Sequence, residues 1–417
     1  MAVARRPGAG TNQEAVRRHN LGTVLAHLHR DGQLSRADLT ARLGLNRSTI
    51  GALVGELVSL GLVVETAPSG GRGGAGRPSL DVRPNPHAAV VVGVEVGVDV
   101  LSGALVGLGG QVLVRASTPT PASRRPDLVA GAVVRLARRL VAGAPEAAVL
   151  LGLGVGVPGV VREPGGVVRF APNLGWVDVP LADLLRSRMG ADLRVTVGND
   201  ADLGALAEHT RGAAVGCDDI VFLAADAGVG GGVIVGGHPL HGVGGYAGEL
   251  GHLMVNPRGR TCRCGSRGCW ETEIGAEAIG AALRLESTDL DSLAGRLRQV
   301  HRPSAALRSV GRYLGLGLGC IVNVLNPEVV VLGGVLRTLY PVVSADVDQA
   351  LASVALQAPR EQVRVLVPAL GGDSVLLGAA EKAFEPVLTD PARELGAACR
   401  DAAAAFAVVG RGHAVPA

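Results

Sequence analysis

One histidine and three cysteines lie close together beyond the middle of the chain. His252 precedes Cys262, Cys264 and Cys269 in the segment GHLMVNPRGRTCRCGSRGCWE. One imidazole nitrogen and three thiolate sulfurs form a ligand set that suits tetrahedral Zn²⁺ with no open position. A closed shell of this kind is typical of a structural ion that folds a glycine-rich loop with little core of its own. The spacing therefore predicts a structural zinc site.

A second group of polar side chains could contact nucleic acid. Asn46, Arg47, Ser48 and Thr49 begin a segment with an apolar periodicity typical of a helix. At the start of a helix, such side chains can approach base edges in the major groove of DNA. Arg36, at the start of the preceding predicted helix, belongs to the same candidate set. These residues predict a DNA-reading surface.

The glycine- and arginine-rich segment SGGRGGAGRPSLDVRPNP carries Arg72, Arg77 and Arg83. A Gly-Arg-Pro segment is thin enough to enter a minor groove, where the negative potential attracts arginine. The segment therefore predicts a DNA-binding wing. The alternative is a solvated basic linker that contacts nothing.

Two predicted helices separated by a short turn position these residues. Residues 13–31 place apolar side chains at mostly three- and four-residue spacing, which predicts a first helix. Ser35 can cap the segment SRADLTARLG, Gly44 breaks it, and Asn46 can cap the next helix. The short β-like run LVVET follows. We therefore place a winged helix-turn-helix DNA-binding domain at residues 13–87.

From residue 88 the pattern changes to valine-rich strands and helices. The strands AVVVGVEVGV, LSGALVGL and QVLVRAST precede a helix near 126–142 and the strand AVLLGLGVGVPG. RVTVGND and DIVFLAADAGVGGGVIVGG open the second half, after which helices dominate around one strand, EVVVLGG. This alternation predicts α/β architecture. We place this second domain at 88–390 and a C-terminal tail at 391–417.

Length, charge and cysteine content narrow the class of protein. A chain of 417 residues exceeds what one hydrophobic core usually serves, so two or three domains are expected. Residues 1–87 hold 11 arginines against 6 acidic residues, whereas the whole chain has a net charge of only +3. The surplus at the N-terminal end indicates a nucleic-acid partner. Six cysteines are too few for a disulfide scaffold in a chain of this length.

The apolar stretch 88–110 is long enough to imitate a membrane span. It contains Glu95 and Asp99, and each would cost about 2.5 to 3.5 kcal/mol at the centre of a bilayer. Paired buried strands are expected instead, and no membrane partner. The first residues contain no apolar segment typical of a secretion signal. We therefore expect a cytoplasmic protein.

These motifs resemble the ROK family of repressors and sugar kinases, and specifically its repressor branch. In those repressors a winged helix ends in a Gly-Arg-Pro-Ser segment and an Asn-Pro pair, matched here by residues 76–79 and 85–86. The family's Glu-x-Gly-His and Cys-x-Cys-Gly-x-x-Gly-Cys-x-Glu motifs are matched at 249–252 and 262–271. The likeness covers about residues 13–390.

The resemblance implies a fold and a ligand. The implied fold is α/β, with an N-terminal winged helix-turn-helix and a ROK domain. That domain is two-lobed and actin-like (ribonuclease H-like, sugar-kinase-like). It contains a structural zinc site and binds a sugar in the cleft between its lobes. Asn199 and Asp200 match an Asn-Asp pair whose aspartate is the general base toward a sugar hydroxyl. Glu249, His252 and Glu271 match the family's other sugar contacts, and Asn173, in the segment APNLGW, is a further candidate. His252 can bind zinc through one nitrogen and direct its other N–H to the sugar.

Two phosphate loops depart from the family's kinases. Their Asp-x-Gly-Gly-Thr is replaced here by the sequence from Glu95 to Asp99, and Asp226 and Ala227 replace the Gly-Thr of the second loop. Phosphates require small residues, hydroxyls and a magnesium partner. We expect the carboxylates of Asp99 and Asp226 to face the phosphates of a nucleotide and to repel them. We therefore expect no catalytic residue, with Asp200 a vestigial base.

The leading interpretation is a sugar-responsive transcriptional regulator, a repressor of carbohydrate metabolism genes. Its partners would be operator DNA, a small-molecule sugar effector and further copies of itself in a homodimer or homotetramer. The alternative is an active, glucokinase-like ATP-dependent sugar kinase with an added DNA-binding module. A third possibility is an inactive kinase whose helices bind a protein partner. The altered phosphate loops favour the regulator over the kinase.

Overall fold

The structure, a computed structural model, describes residues 12–67, 79–190, 192–226, 228–285 and 289–396. Along the chain it consists of a small N-terminal unit, here called the head (residues 12–87), and an α/β body of two lobes. Arg72 and Arg77, predicted to lie in the wing, fall outside the described residues. Ala227 of the second phosphate loop does so too.

Three helices and a three-stranded antiparallel sheet of order β1-β3-β2 form the head. Its elements are α1 (Gln13–Asp31), β1 (Leu34–Ser35), α2 (Arg36–Leu43), α3 (Arg47–Ser59), β2 (Val63–Thr66) and β3 (Asp81–Pro84). The predicted caps are confirmed: the side chains of Ser35 and Asn46 accept backbone N–H groups at the starts of α2 and α3, and Gly44 is left-handed at the end of α2. The head is therefore a helix-turn-helix followed by a β-hairpin.

The first lobe is built on a five-stranded sheet. Its elements are β4 (Ala89–Val96), β5 (Val100–Gly107), β6 (Gln111–Pro119), α4 (Pro126–Val141), β7 (Val149–Val157), β8 (Val160–Arg162), β9 (Val167–Ala171), β10 (Trp176–Val179), α5 (Leu181–Met189), β11 (Arg194–Asn199) and α6 (Asp200–Arg211). The strand order is β11-β7-β4-β5-β6; β4, β5 and β6 form an antiparallel meander, and β7 and β11 run parallel to β4. The apolar stretch near residue 100 is thus the predicted pair of strands.

The second lobe has its own five-stranded sheet, of order β14-β13-β12-β15-β16. Its elements are β12 (Ile220–Ala225), β13 (Val229–Val235), β14 (His238–Pro239), a short 3₁₀ turn (Leu250–His252), α7 (Trp270–Ile274), α8 (Ala276–Leu283), α9 (Leu290–Arg298), α10 (Ala305–Leu325), β15 (Val329–Gly334), α11 (Leu336–Val354), α12 (Gln357–Gln362) and β16 (Arg364–Leu366). A further helix, α13 (Ser374–Thr389), returns to the first lobe, and residues 391–396 are helical as well.

Both faces of the first sheet are covered, as its continuous valine runs require. Val90, Val92 and Val94 share one core with α4 and α5. Ala89 and Val91, on the opposite face, share another core with α13 and with the apolar side chains of the head. Leu395, in the segment expected to begin a tail, is buried in this second core. The head is therefore packed on the body and is not suspended from a linker.

One small sheet was missed by the sequence analysis. β8, β9 and β10 form an antiparallel sheet of order β10-β9-β8 over residues 160–179. These strands have three to five residues each, and the turns between them hold the glycines and prolines of EPGG and PNLG. Such short runs give no periodicity to detect. The sheet matters because the turn between β9 and β10 carries Asn173.

No helix in the described part of the chain is both long enough and apolar enough to cross a lipid bilayer.

Candidate functional site

The four predicted metal ligands converge. One ligand atom each from His252, Cys262, Cys264 and Cys269 lies within 4.8 Å of every other, and the sulfurs of Cys264 and Cys269 are 3.6 Å apart. Two sulfurs bound tetrahedrally at about 2.3 Å from one zinc would lie about 3.8 Å apart. The donor set and its spacing therefore fit a tetrahedral metal ion.

The loop that carries these ligands is folded by its own backbone. The N–H of Cys262 donates to the carbonyl of Ser266 at 2.7 Å, and the N–H of Gly265 donates to the carbonyl of Cys262 at 3.0 Å. Gly265 has a φ of +92°, a conformation that favours glycine. The backbone N–H of Ser266 lowers the pKa of the Cys264 thiol, which favours the thiolate that a metal requires. Trp270 anchors the loop, since its buried ring donates from Nε1 to the carbonyl of Tyr313 on α10.

His252 connects the metal cluster to the cleft between the lobes. Its Nδ1 is 3.8 Å from the sulfur of Cys262, whereas its Nε2 is 4.0 Å from Glu249 Oε2. Glu271 has a similar position: its Oε1 lies 3.6 Å from the Cys262 sulfur, and its Oε2 accepts the backbone N–H of Val229 at 3.0 Å. Both residues therefore border the metal cluster and the cleft.

The glycine-rich start of β13 brings the predicted sugar contacts together. A Cβ on Gly228 would lie 2.6 Å from Glu271 Oε2 and 3.7 Å from Asn173 Nδ2, and a Cβ on Gly230 would lie 3.7 Å from Asp200 Oδ1. Side chains at these two positions would therefore fill the space beside these three polar groups. Asn173, Asp200 and Glu271, three of the predicted sugar contacts, thus border the start of β13.

Asn199 has a structural role in the site. Its Oδ1 accepts the backbone N–H groups of Ala201 at 2.8 Å and Asp202 at 3.1 Å, and its Nδ2 donates to the carbonyl of Gly159 at 3.0 Å. Asn199 is thus the N-cap of α6. It holds Asp200 in the first turn of α6 and fixes the end of β11 to the turn after β7.

Three carboxyl groups, those of Glu95, Asp200 and Asp226, lie close enough to affect one another's ionisation. Burial and the nearby carboxylate of Asp226 raise the pKa of Asp200 to about 7. Burial, Asp226 and Asp200 raise the pKa of Glu95 to about 8, and burial raises that of Asp226 against the attraction of Arg337. Asp99 differs from expectation: its side chain is 85% exposed, and it pairs with Arg124 at 3.3 Å. The first loop therefore contributes Glu95 to this acidic wall.

Asn173 bridges the lobes. Its Oδ1 accepts a hydrogen bond from Nη1 of Arg263, in the metal loop, at 2.9 Å, and Nη2 of Arg263 donates to Glu277 at 2.6 Å. Arg263 was not among the predicted site residues because nothing in its spacing distinguishes it from the other arginines of the loop. Asp202 was also missed; it lines a cavity with Asn199, and burial followed by the Glu163 carboxylate raises its pKa to about 7.

Two of the predicted sugar contacts line a small cavity. The cavity bordered by Asn199, Asp202 and Glu249 measures about 20 Å³, which is room for about one water molecule. A larger cavity of about 340 Å³ is lined by Glu95, Arg115 and Asp373 among others, and by none of the six predicted sugar contacts. The small cavity is therefore the one of these two that predicted sugar contacts line.

On the head, the predicted DNA contacts divide into free and engaged side chains. Arg47 and Ser48 are exposed, and Arg47 has no hydrogen bond or ion pair with any described residue. Asn46 accepts the N–H of Thr49 at 2.8 Å and the hydroxyl of Ser48 at 2.7 Å. Arg36 makes two hydrogen bonds to Glu65 on β2, at 2.5 and 2.7 Å, so a DNA contact would require that pair to open.

Comparisons with known proteins cover both parts of the chain. The model of the ROK family matches residues 91–384, and the model of the MarR family matches residues 22–73. A xylose repressor of Bacillus subtilis (strain 168) is 30% identical over 373 residues, which cover 88% of this chain and 95% of the repressor. A glucokinase of Halalkalibacterium halodurans is 32% identical over 308 residues, which cover 69% of this chain and 92% of the glucokinase.

One solved structure shares the fold of most of the chain. The crystal structure of a ROK family transcriptional regulator, a homolog of the E. coli MLC protein, has a TM-score of 0.73 at 24% identity, over 91% of this chain and 99% of that one. At this level of identity the likeness concerns the fold: a winged-helix head on a two-lobed α/β body.

Proposed function

Because the chain belongs to the ROK family, we propose that it is a sugar-responsive DNA-binding repressor of carbohydrate metabolism genes that acts in the cytoplasm. The observation that carries the proposal is the exposed start of α3, where Arg47 is free of described partners on a head packed against a kinase-like body. We propose that the DNA-binding part ends at residue 87 and that the sugar-binding part begins at residue 88. A named xylose repressor that matches most of the chain supports this reading.

The proposed sugar site consists of Asp200, Glu249, His252, Glu271 and Asn173, with Asn199 holding Asp200 in place. A sugar presents many hydroxyls, so several carboxylate and amide partners are needed to satisfy them. We propose that the metal is one structural Zn²⁺, which would hold His252 and Cys262 beside Glu271 and so fix the shape of the sugar site. Operator DNA would be bound by a homodimer or homotetramer, because two-fold proteins match two-fold sites.

We propose that phosphoryl transfer is lost. Glu95 and Asp226 place buried carboxyl groups where a triphosphate would lie, instead of the small residues and hydroxyls that phosphates require. The second candidate function is an active sugar kinase. One observation favours it: Asp200 has a pKa of about 7, which suits a general base near neutral pH.

A DNA-retention experiment tests the proposal. Full-length protein is incubated with fragments of its own genome, with and without xylose or glucose, and the retained DNA is sequenced. We expect retention of few, pseudo-palindromic fragments, and a changed amount when one sugar is present. The matched variants are Arg47→Ala, which should retain less, and Arg135→Ala, an exposed arginine on α4, which should behave as wild type. Equal retention by wild type and Arg47→Ala would contradict the DNA-reading role; ATP turnover near 1 per second or faster with the bound sugar would support the kinase.

A further inference from the structure

We infer that Arg211, Glu381 and His29 are positioning residues through which the sugar cleft controls the head. The inference rests on the function proposed above and deepens it, because it names the route by which sugar and operator affect each other. We call these three residues the node.

The node is a buried polar contact between head and body. Arg211 donates from Nε to Glu381 Oε1, from Nη1 to the carbonyl of Gly109 at 2.9 Å, and from Nη2 to the carbonyl of His29 at 3.0 Å. The other oxygen of Glu381 is 3.1 Å from His29 Nε2. His29 belongs to α1 of the head, Arg211 ends α6, and Glu381 lies on α13. One guanidinium thus contacts three separate elements.

The His29 ring has a defined orientation in the node. Its Nδ1 accepts the backbone N–H of Gly109 at 3.0 Å, which places the ring proton on Nε2, facing Glu381. The side chain is 1% exposed, and its ring packs on Phe384 at a centroid distance of 4.8 Å. Burial alone would raise the pKa of Glu381, but His29 and Arg211 outweigh it and lower the pKa to about 2. The carboxylate is therefore ionised and fully engaged near neutral pH.

A single helix joins the node to the sugar site. α6 begins with Asp200 in the cleft and ends with Arg211 in the node, and its 12 residues span about 18 Å. Ala201 and Ala205 pack against Phe222 of the second lobe, whereas the opposite side of α6 packs on α13 of the first. A change in the relative position of the lobes therefore must move α6 against one of them.

The helices between the sugar site and the node, α6, α13 and α1, are closely packed. A Cβ on Gly378 of α13 would lie 1.8 Å from the carbonyl oxygen of Leu203 on α6, and a Cβ on Gly22 of α1 would lie 2.5 Å from that of Thr389 on α13. Glu208, fully buried in the last turn of α6, accepts the N–H groups of Ala369 and Leu370 ahead of α13. Packed elements of this kind transmit small shifts because they cannot deform continuously.

The test measures linkage, which a purely structural role would leave unchanged. Xylose and glucose are titrated into full-length protein with and without a retained operator fragment, and the ratio of the two sugar affinities is the linkage factor. For wild type we expect a factor of about 5 to 150. Arg211→Lys keeps the charge, but its compact ammonium lacks the planar fork whose three nitrogens reach separate partners in the wild type. The double variant Arg211→Met with Glu381→Leu leaves neither charge unpaired, so it should fold.

For both variants we expect sugar affinity without DNA to stay within about two-fold of wild type, while the linkage factor falls below about two-fold. The control is Arg194→Lys, whose arginine pairs with Glu394 at 2.6 Å outside the node and which should keep wild-type linkage. Should a variant lose operator binding, sugar-induced change in hydrogen exchange of the α1 amides, measured without DNA, replaces the linkage factor; wild type should show a change and the variants none.

The outcomes separate the two claims. Wild-type protein that binds no operator, or shows no linkage, overturns both the proposed function and the node. Wild-type linkage that persists unchanged in Arg211→Lys and in the double variant overturns only the node.

Discussion

Arg263 donates to Asn173 across the cleft at 2.9 Å, so a residue of the metal loop occupies the oxygen of a proposed sugar contact. The first prediction follows from this competition. Arg263→Ala frees Asn173, and one net hydrogen bond of about 0.5 to 1.5 kcal/mol corresponds to sugar binding roughly 2- to 12-fold tighter. Calorimetric titration measures it, with Arg267→Ala, an exposed arginine of the same loop, as the control. Weaker sugar binding by Arg263→Ala alone would show that the bridge holds the liganded form.

The second prediction concerns the metal. Purified, unchelated protein should contain about one zinc per chain, because one histidine and three cysteines complete a tetrahedral shell. Cys264→Ser should lose metal and sugar binding together, since Glu271 and His252 border both the cluster and the cleft. Cys320→Ser, at an exposed cysteine on α10, should change neither. Metal analysis that finds no zinc in wild type, or sugar binding that survives loss of the metal, would contradict the account.

The third prediction concerns pH. The folded-state pKa values of Glu95 and Asp200 are raised to about 8 and about 7. The two protonated carboxyl groups therefore contribute their full stabilisation below the pKa of an unfolded-state carboxyl, near 4. This stabilisation is lost as the pH rises through the pKa values of the folded state. Between these limits each such group removes up to about 1.4 kcal/mol of unfolding free energy per pH unit.

Urea unfolding of ligand-free protein from pH 5.5 to 8.5 measures this loss. Glu95→Gln should flatten the profile, because the neutral amide cannot ionise. Asp99→Asn removes an exposed carboxylate from the same loop and should leave the profile unchanged. A wild-type profile that rises over this range, with no difference for Glu95→Gln, would show that these carboxyl groups are ionised without cost.

The fourth prediction separates the two arginines of the helix-turn-helix. Arg47→Ala should weaken operator binding by about 1 to 3 kcal/mol if the side chain contacts a base. Arg36→Ala should instead lower the stability of the head, because its two hydrogen bonds to Glu65 hold α2 against β2. Fluorescence anisotropy with a retained operator and thermal unfolding of each variant distinguish the effects. Equal losses of operator affinity at constant stability would place Arg36 on the DNA as well.

Much of the fold could be predicted because local signals agreed with it. Ser35, Gly44 and Asn46 set the helix boundaries of the head, and each does so in the structure. The convergence of His252 with the three cysteines was predictable because His and Cys at that spacing have few uses other than metal binding. The three-stranded sheet at 160–179 was not predictable, since its strands are too short to show alternation.

The contacts between distant segments could not be predicted. Arg263 and Asn173 are 90 residues apart, and His29 and Glu381 are 352 apart; each looks like an ordinary polar residue in its own segment. Asn199 was predicted to contact the sugar. In the structure its side-chain oxygen accepts backbone N–H groups of α6, so Asn199 caps that helix. Such roles depend on tertiary packing that a periodic pattern does not contain.

The reciprocal titration of sugar and operator tests the central claim most directly. Sugar affinity is measured with and without operator, and operator affinity with and without the same sugar. A sugar-responsive repressor must show the same factor in both directions, of about 5 to 150, because linkage between two sites is reciprocal. We predict equal factors in that range. Sugar affinity that is identical with and without bound operator would contradict the account.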